Sequence, residues 1–349
     1  MNQKSQTGIL PSQELNTAIK SKFISSKQEI NCNQIQPASI DLRLDATAYR
    51  VRASFLPGTK ATVKDKLKNI TMHKINLTNG AVLEKGCVYI VPLQERLNIP
   101  SNISGMANPK SSTGRLDIFT RVITDNAIEF DRIVPGYKGP LYAEISPLTF
   151  SVLVHQGSRL SQLRLRRGKF NATDGVAFTV DLHGFKVNHK QNKIVGYRAK
   201  QHTGIINIDN INRYKLEDYW DPIAARNDKT LVLDPDEFYI LASKEAVSVP
   251  PDQAAEMRAY DTLVGEFRVH YAGFFDPGFG HDAAGGAGSR AVLEVRSHDV
   301  PFVLEDGQMV GRLVFEPLTN VPSMLYGSDV NSNYQNQGLK LSKHFISEE

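Results

Sequence analysis

Three groups of residues in this 349-residue chain have types and spacings that could do chemistry. The first is Asn108-Pro109-Lys110-Ser111-Ser112-Thr113-Gly114-Arg115-Leu116, where a cation, two hydroxyls and a second cation fall within six positions after a proline turn. Recognition of a phosphate needs such a set: hydroxyl and backbone N–H donors where a short helix begins, Lys for charge and Arg for a bidentate fork. Standing alone, the run reads equally as a solvated polar turn, and no Walker pattern accompanies it. The second group is a glutamate inside an otherwise apolar strand, Glu144 in Leu141-Tyr142-Ala143-Glu144-Ile145 and Glu294 in Ala291-Val292-Leu293-Glu294-Val295. A cleft-facing glutamate has its pKa raised and exchanges protons near neutral pH, whereas simple alternation would put it on a solvent face. The third is Phe274-Phe275-Asp276-Pro277-Gly278-Phe279-Gly280, an acid before a Pro-Gly turn, which is also ordinary turn chemistry.

These groups sit in a chain that repeats itself. Val82-Leu83-Glu84 and Val88-Tyr89-Ile90 line up with Val232-Leu233-Asp234 and Phe238-Tyr239-Ile240 at an offset of 150 residues, and Leu97-Asn98-Ile99-Pro100 lines up with Val247-Ser248-Val249-Pro250. After compensating gaps, Glu144 and Glu294 stand at the same offset, which favours a cleft position for the glutamates over chance alternation. A period this long, present twice, indicates two copies of one domain and not a solenoid, whose repeats run roughly 20 to 50 residues. Strands are expected at 88–93, 141–145, 150–154, 238–242, 292–296 and 312–315, all short, rich in β-branched and aromatic residues and bounded by turn formers. One helix is expected over 15–23 with Ser12 as its N-cap. The fold class is therefore all-β, two tandem distorted jelly rolls with a few short helices. Domain limits are set at 1–170, a connector and the start of the second copy at 171–227, and 228–349.

The copies differ in their polar residues. Val134 replaces Asp276 in Arg132-Ile133-Val134-Pro135-Gly136, and Tyr260-Asp261-Thr262-Leu263 occupies the region of the Lys-Ser-Ser run in the second copy with an added acid. Each copy lacks what the other keeps. Lys+Arg 41 against Asp+Glu 37 leaves +4, too little to argue for a nucleic-acid or membrane-surface partner, so an anionic ligand must be bound locally. Cys32 and Cys87 form neither a disulfide framework nor a CxxC zinc site, which fits a reducing cytoplasm. No run approaches the ~18 apolar residues of a membrane span, and no secretion signal is expected.

Taken as a set, Lys110 to Arg115, Arg132 to Glu144, the Gly157-Ser158-Arg159-Leu160-Ser161-Gln162-Leu163 segment, Phe274 to Gly280, and Gly311-Arg312-Leu313-Val314-Phe315-Glu316-Pro317 resemble the dCTP deaminase and dUTPase family. Gln36-Pro37-Ala38-Ser39-Ile40-Asp41-Leu42-Arg43-Leu44 and the tail from Tyr326 through Tyr334-Gln335-Asn336-Gln337-Gly338 add to the likeness, which is to the long, tandem bacterial form. The resemblance implies a distorted jelly roll, threefold assembly (here a trimer of tandem chains) with shared active sites, and deamination of dCTP to dUTP with Mg²⁺ on the triphosphate. It also implies dTTP as a candidate regulator and, as alternatives, a dUTP diphosphatase, a bifunctional enzyme or a non-catalytic nucleotide-binding regulator. Zinc is not expected, because zinc nucleoside deaminases need His-x-Glu and no His here is followed two positions later by Glu.

The roles carried over are phosphate binding for Lys110, Ser111, Ser112 and Arg115, deoxyribose binding for Asp276, and closure of the tail by Tyr326 and Gln337. Glu294 is assigned as general acid/base. The family's Arg two residues before the deoxyribose Asp is Phe274 in the second copy and Arg132 in the first, so Glu144 with Arg132 stays open as the alternative catalytic pair.

Overall fold

The computed structural model describes residues 7–169, 175–186, 193–259, 267–269, 273–297, 300–327, 330–331 and 334–346. The chain is built almost wholly of strands. In the first copy Val88–Asn98 pairs with Thr47–Val51 on one side and Lys138–Pro147 on the other, and Lys138–Pro147 continues to Ile118–Thr124. A second sheet sets Ser161–Arg167 beside Gly8–Ile9 and Ile103–Pro109, which pairs in turn with Arg132–Ile133. The two sheets share one core, in which Val91, Ile145, Ile103 and Leu163 are buried together. This is the sandwich that alternating β-branched strands produce when each sheet has one apolar face to cover.

The second copy repeats both sheets. Tyr239–Val247 pairs with Ile194–Ala199 and Ser289–Ser297, and Gln253–Ala259 pairs with Met309–Pro317 and Phe274–Phe275. The sequence repeat is a repeat of register: Glu144 lies opposite Ile90 and Glu294 opposite Ile240, and Leu163 lies opposite Ala107 and Leu313 opposite Met257. The expected strand 141–145 runs over Lys138–Pro147, and 292–296 over Ser289–Ser297, because each is held by partners on both edges.

One local expectation changes. The first helix spans Ser12–Lys20; its N-cap is Pro11, whose carbonyl accepts from Glu14 and Leu15, and Ser12 lies inside the helix with its hydroxyl 3.1 Å from that of Ser323. It stops short of Phe23 because Lys22 turns to a φ of 58°. The 171–227 segment carries strands that belong to both copies. Val176–Thr179, Ile194–Ala199 and Trp220–Ala224 complete sheets of the second copy, while Ile206–Asn207 pairs in parallel with Val152–Val154 of the first. Trp220, Phe238, Ile240 and Val292 are buried in one cluster with Phe150 and Val152, so the copies share core as well as chain. Among the described residues no helix is long and apolar enough to cross a membrane.

Candidate active site between the two copies

A cavity of about 440 Å³ opens between the copies. Lys110 ends the strand Ile103–Pro109, and the chain then makes one helical turn, Ser111–Gly114, because Pro109 ends the ladder and the Lys110 carbonyl accepts from Thr113 and Gly114. Lys110, Ser111, Ser112 and Arg115 line this side. Arg159 and Lys343 join them, so four cations stand around one end of the cavity. Asp41 is buried beneath them, paired with Lys110 and 3.8 Å from Arg159, and its Oδ1 is without a hydrogen-bond partner among the described residues.

The opposite wall comes from the second copy. Val292, Glu294 and Arg296 alternate along Ser289–Ser297, so they share the face turned toward the first copy. Val292 and Glu294 line the cavity, while Arg296 reaches across to Asp117, just beyond the phosphate-type loop, at 3.0 Å from Nε. Burial pushes Glu294 up to about 8; Arg115 opposes the shift and Asp117 adds to it. A carboxyl in that range takes and returns a proton near neutral pH. Asp276 also lines the cavity, with its Oδ1 accepting from Arg164 of the first copy at 3.0 Å. Burial raises Asp276, and Arg164 pulls it back.

The C-terminal segment forms the roof. Arg115 donates to Gln337 Oε1 at 3.0 Å and to the Lys340 carbonyl at 2.8 Å, and its guanidinium lies 3.9 Å from the centre of the Tyr334 ring. Tyr326, Tyr334, Gln337 and Lys343 all line the cavity. Beyond them Ser342 donates to the Ser112 carbonyl at 2.8 Å, and Phe345 is packed against Tyr214, Tyr219 and Trp220. The roof is thus tied both to the phosphate-type loop and to the connector.

Family models match the chain over nearly its whole length: the N-terminal domain of 2'-deoxycytidine 5'-triphosphate deaminase over residues 6–169 and its C-terminal domain over 154–345. The chain belongs to the dCTP deaminase family. A solved 2'-deoxycytidine 5'-triphosphate deaminase from Agrobacterium tumefaciens is 54% identical, superposes with a TM-score of 0.86, and is covered over 99% of its length by 90% of this chain. The dCTP deaminase of Halorubrum lacusprofundi is 33% identical over 132 residues, which is 37% of this chain and 62% of that protein. A dUMP-forming dCTP deaminase from Methanosphaera stadtmanae is 30% identical over 141 residues, 39% of this chain and 68% of that protein. The chain is therefore an enzyme of the dCTP deaminase family with a dUTPase-like β fold.

Within this deaminase the structure brings Lys110, Ser111, Ser112, Arg115, Asp276, Glu294, Tyr326 and Gln337 to one cavity. Glu144 and Arg132 do not reach it. Glu144 is buried with its Oε1 2.5 Å from Arg121, and Arg132 pairs with Glu129 at the surface at 2.9 Å. The difference lies in what covers the strand. Tyr142, on the same face as Glu144, packs with the helix Val63–Ile70, which lies in the connection between the paired strands Thr47–Val51 and Thr71–Asn76; in the second copy the matching connection runs back to the first copy and leaves the face of Glu294 to the cavity. Tyr260-Asp261-Thr262-Leu263 lies outside the described residues, so the loss of a second phosphate loop rests on sequence.

Asp41, Arg159, Gln162, Arg164, Tyr334 and Lys343 were not among the expected site residues. Asp41, Gln162 and Tyr334 fall in segments whose family likeness was noted, so a signal for them existed. Arg164 and Lys343 sit in basic runs that read as solvated faces until the partner surface is known.

Proposed function

We propose that this composite cavity deaminates dCTP to dUTP and ammonia. The observation that carries the proposal is that the cations and hydroxyls of the first copy and the two acids of the second line one cavity. In this scheme the triphosphate lies against Lys110, Ser111, Ser112, Arg115, Arg159 and Lys343, and the sugar lies over Asp276. The cytosine C4 then comes beside Glu294. The ionised Glu294 takes a proton from a water as its oxygen adds to C4 and passes it to the ring nitrogen, where it stays; Glu294 then takes the proton of the new C4 hydroxyl and hands it to the exocyclic amine. The C4–N bond breaks, ammonia leaves with its bonding pair, and C4 keeps the oxygen as a carbonyl. Arg115 favours the ionised form of Glu294 that starts the reaction and, through Gln337 and Tyr334, holds the roof that excludes bulk water.

Magnesium enters on the substrate triphosphate, where it supplies charge neutralisation. The buried, unpartnered Oδ1 of Asp41 beside Lys110 fits a hard cation that prefers phosphate oxygens and retained waters. No zinc takes part, and the attacking water is activated by Glu294. Assembly as a trimer of tandem chains in the cytoplasm, with dTTP competing for the same cavity, completes the proposal. Product analysis with dCTP and with dUTP tests it: ammonia and dUTP from dCTP support it, and nucleotide binding without turnover of either overturns it. The name of the Methanosphaera stadtmanae relative supports a second reading, in which the same cavity goes on to dUMP; release of diphosphate from dUTP is its signature.

A further inference from the structure

Arg164 is 4% exposed, and all its described side-chain hydrogen bonds are made to the other copy. It donates to the Ala255 carbonyl at 2.8 Å, to the Phe275 carbonyl at 2.9 Å and to Asp276 Oδ1 at 3.0 Å, with its guanidinium 4.0 Å from the centre of the Phe274 ring. Every one of these contacts is on the turn that carries Asp276 or on the strand Gln253–Ala259 paired to it. Among the described hydrogen bonds none is made by Asp276 Oδ2, so Arg164 holds one oxygen of a cavity-lining carboxylate and leaves the other.

The internal repeat shows that this pair is not a general feature of the fold. Arg132 lies opposite Met106 and Phe274 opposite Glu256, while Arg164 lies opposite Met106 and Val314 opposite Glu256, so the positions equivalent to Asp276 and Arg164 are Val134 and Val314. Acid and base are absent together from those equivalent positions. A clamp between the copies does not require Arg164 either, because Arg166, on the same face of the same strand, already holds Glu316 with Nε at 3.0 Å. A buried ion pair adds little net stability, so its presence is better explained by what it orients.

We propose that Arg164 is the positioning residue for Asp276, holding the carboxylate in the rotamer that leaves one oxygen for the 3′-hydroxyl of the deoxyribose. This rests on Asp276 being the sugar contact, and the experiment separates the two. The charged and titratable groups that bear on Asp276 are Arg164, Lys110, Asp41 and Tyr326. With the charge of Arg164 gone, burial and Asp41 raise Asp276 further against Lys110, and the carboxyl moves toward its protonated form.

The test compares KM for dCTP with KM for 2′,3′-dideoxy-CTP, because titration of Glu294 or of the phosphates affects both nucleotides alike and cancels in the ratio. Arg164→Gln is expected to raise KM for dCTP about tenfold, with kcat within about twofold, and to leave KM for the dideoxynucleotide unchanged. Raising the pH restores part of the lost selectivity of Arg164→Gln, and the ratio of the variant depends on pH more steeply than that of the wild type. Arg164→Lys gives an intermediate ratio, and adding Arg164→Gln to Asp276→Asn lowers selectivity no further. An equal effect on both nucleotides makes Arg164 structural and overturns the proposal. If Arg164→Gln fails to fold, Arg164→Lys decides: wild-type selectivity at every pH overturns it. If Asp276→Asn itself keeps full selectivity, the assignment of Asp276 fails instead.

Discussion

Glu294→Gln is expected to make the protein more stable and inactive at once. The carboxyl stands at about 8 in the folded chain against an ordinary 4.5, so between those pH values the folded state binds a proton that the unfolded state has released. Stability then falls as pH rises through that window, by up to ~1.4 kcal/mol per pH unit. At pH 7 the wild-type carboxyl costs about 3 kcal/mol and at pH 9 about 5 kcal/mol, whereas below pH 4.5 the cost vanishes. Gln does not ionise, so thermal or denaturant unfolding followed from pH 5 to 9 should show the variant pulling ahead of wild type as pH rises. The amide's own burial takes back part of the gain, but as a constant offset that does not depend on pH. In the same preparations ammonia release should fall by ~10² or more in kcat while dCTP still binds, since an amide keeps size and hydrogen bonding but cannot cycle a proton. Parallel stability curves would refute the burial of an ionisable Glu294. A Glu294→Gln enzyme with near-normal turnover beside a dead Glu144→Gln enzyme would transfer the chemistry to the first copy.

In the wild type, kcat/KM for dCTP is expected to rise with pH up to about 8 and then level, because the ionised Glu294 accepts the proton of the water; a fall across pH 6 to 8 would mean that the protonated form is the reactive one. Arg115→Ala is expected to weaken dCTP by ~1.5 to 3 kcal/mol and deoxycytidine by less, through loss of charge at the phosphate end and release of Gln337 and Tyr334 from the roof. Equal weakening of nucleotide and nucleoside, measured by calorimetry, would remove Arg115 from triphosphate binding. A zinc-selective chelator added with excess Mg²⁺ is expected to leave deamination intact, and activity that vanishes and returns on adding zinc would overturn water activation by a carboxylate.

The sequence alone determined the all-β class, the duplication at an offset of 150 residues, the loop from Lys110 to Arg115 and the family, because each of these is written in local composition, spacing or ordered motifs. It also preferred Glu294 but left Glu144 open as the alternative, since the two sit in apolar strands with the same register across them. Only the tertiary structure separated them. Glu144 meets Arg121 on a face closed by Val63–Ile70, and Glu294 meets a cavity whose far wall is built from the other copy. The stripe of Gln162, Arg164 and Arg166 could not be interpreted for the same reason. Period-2 alternation says which side chains share a face but not what that face will touch, and a polar face at the edge of one domain looks solvated until a second domain is laid against it. Burial, and with it the shifted proton affinity of Glu294 and the grip of Arg164 on Asp276, is a property of two surfaces brought together by residues more than a hundred positions apart.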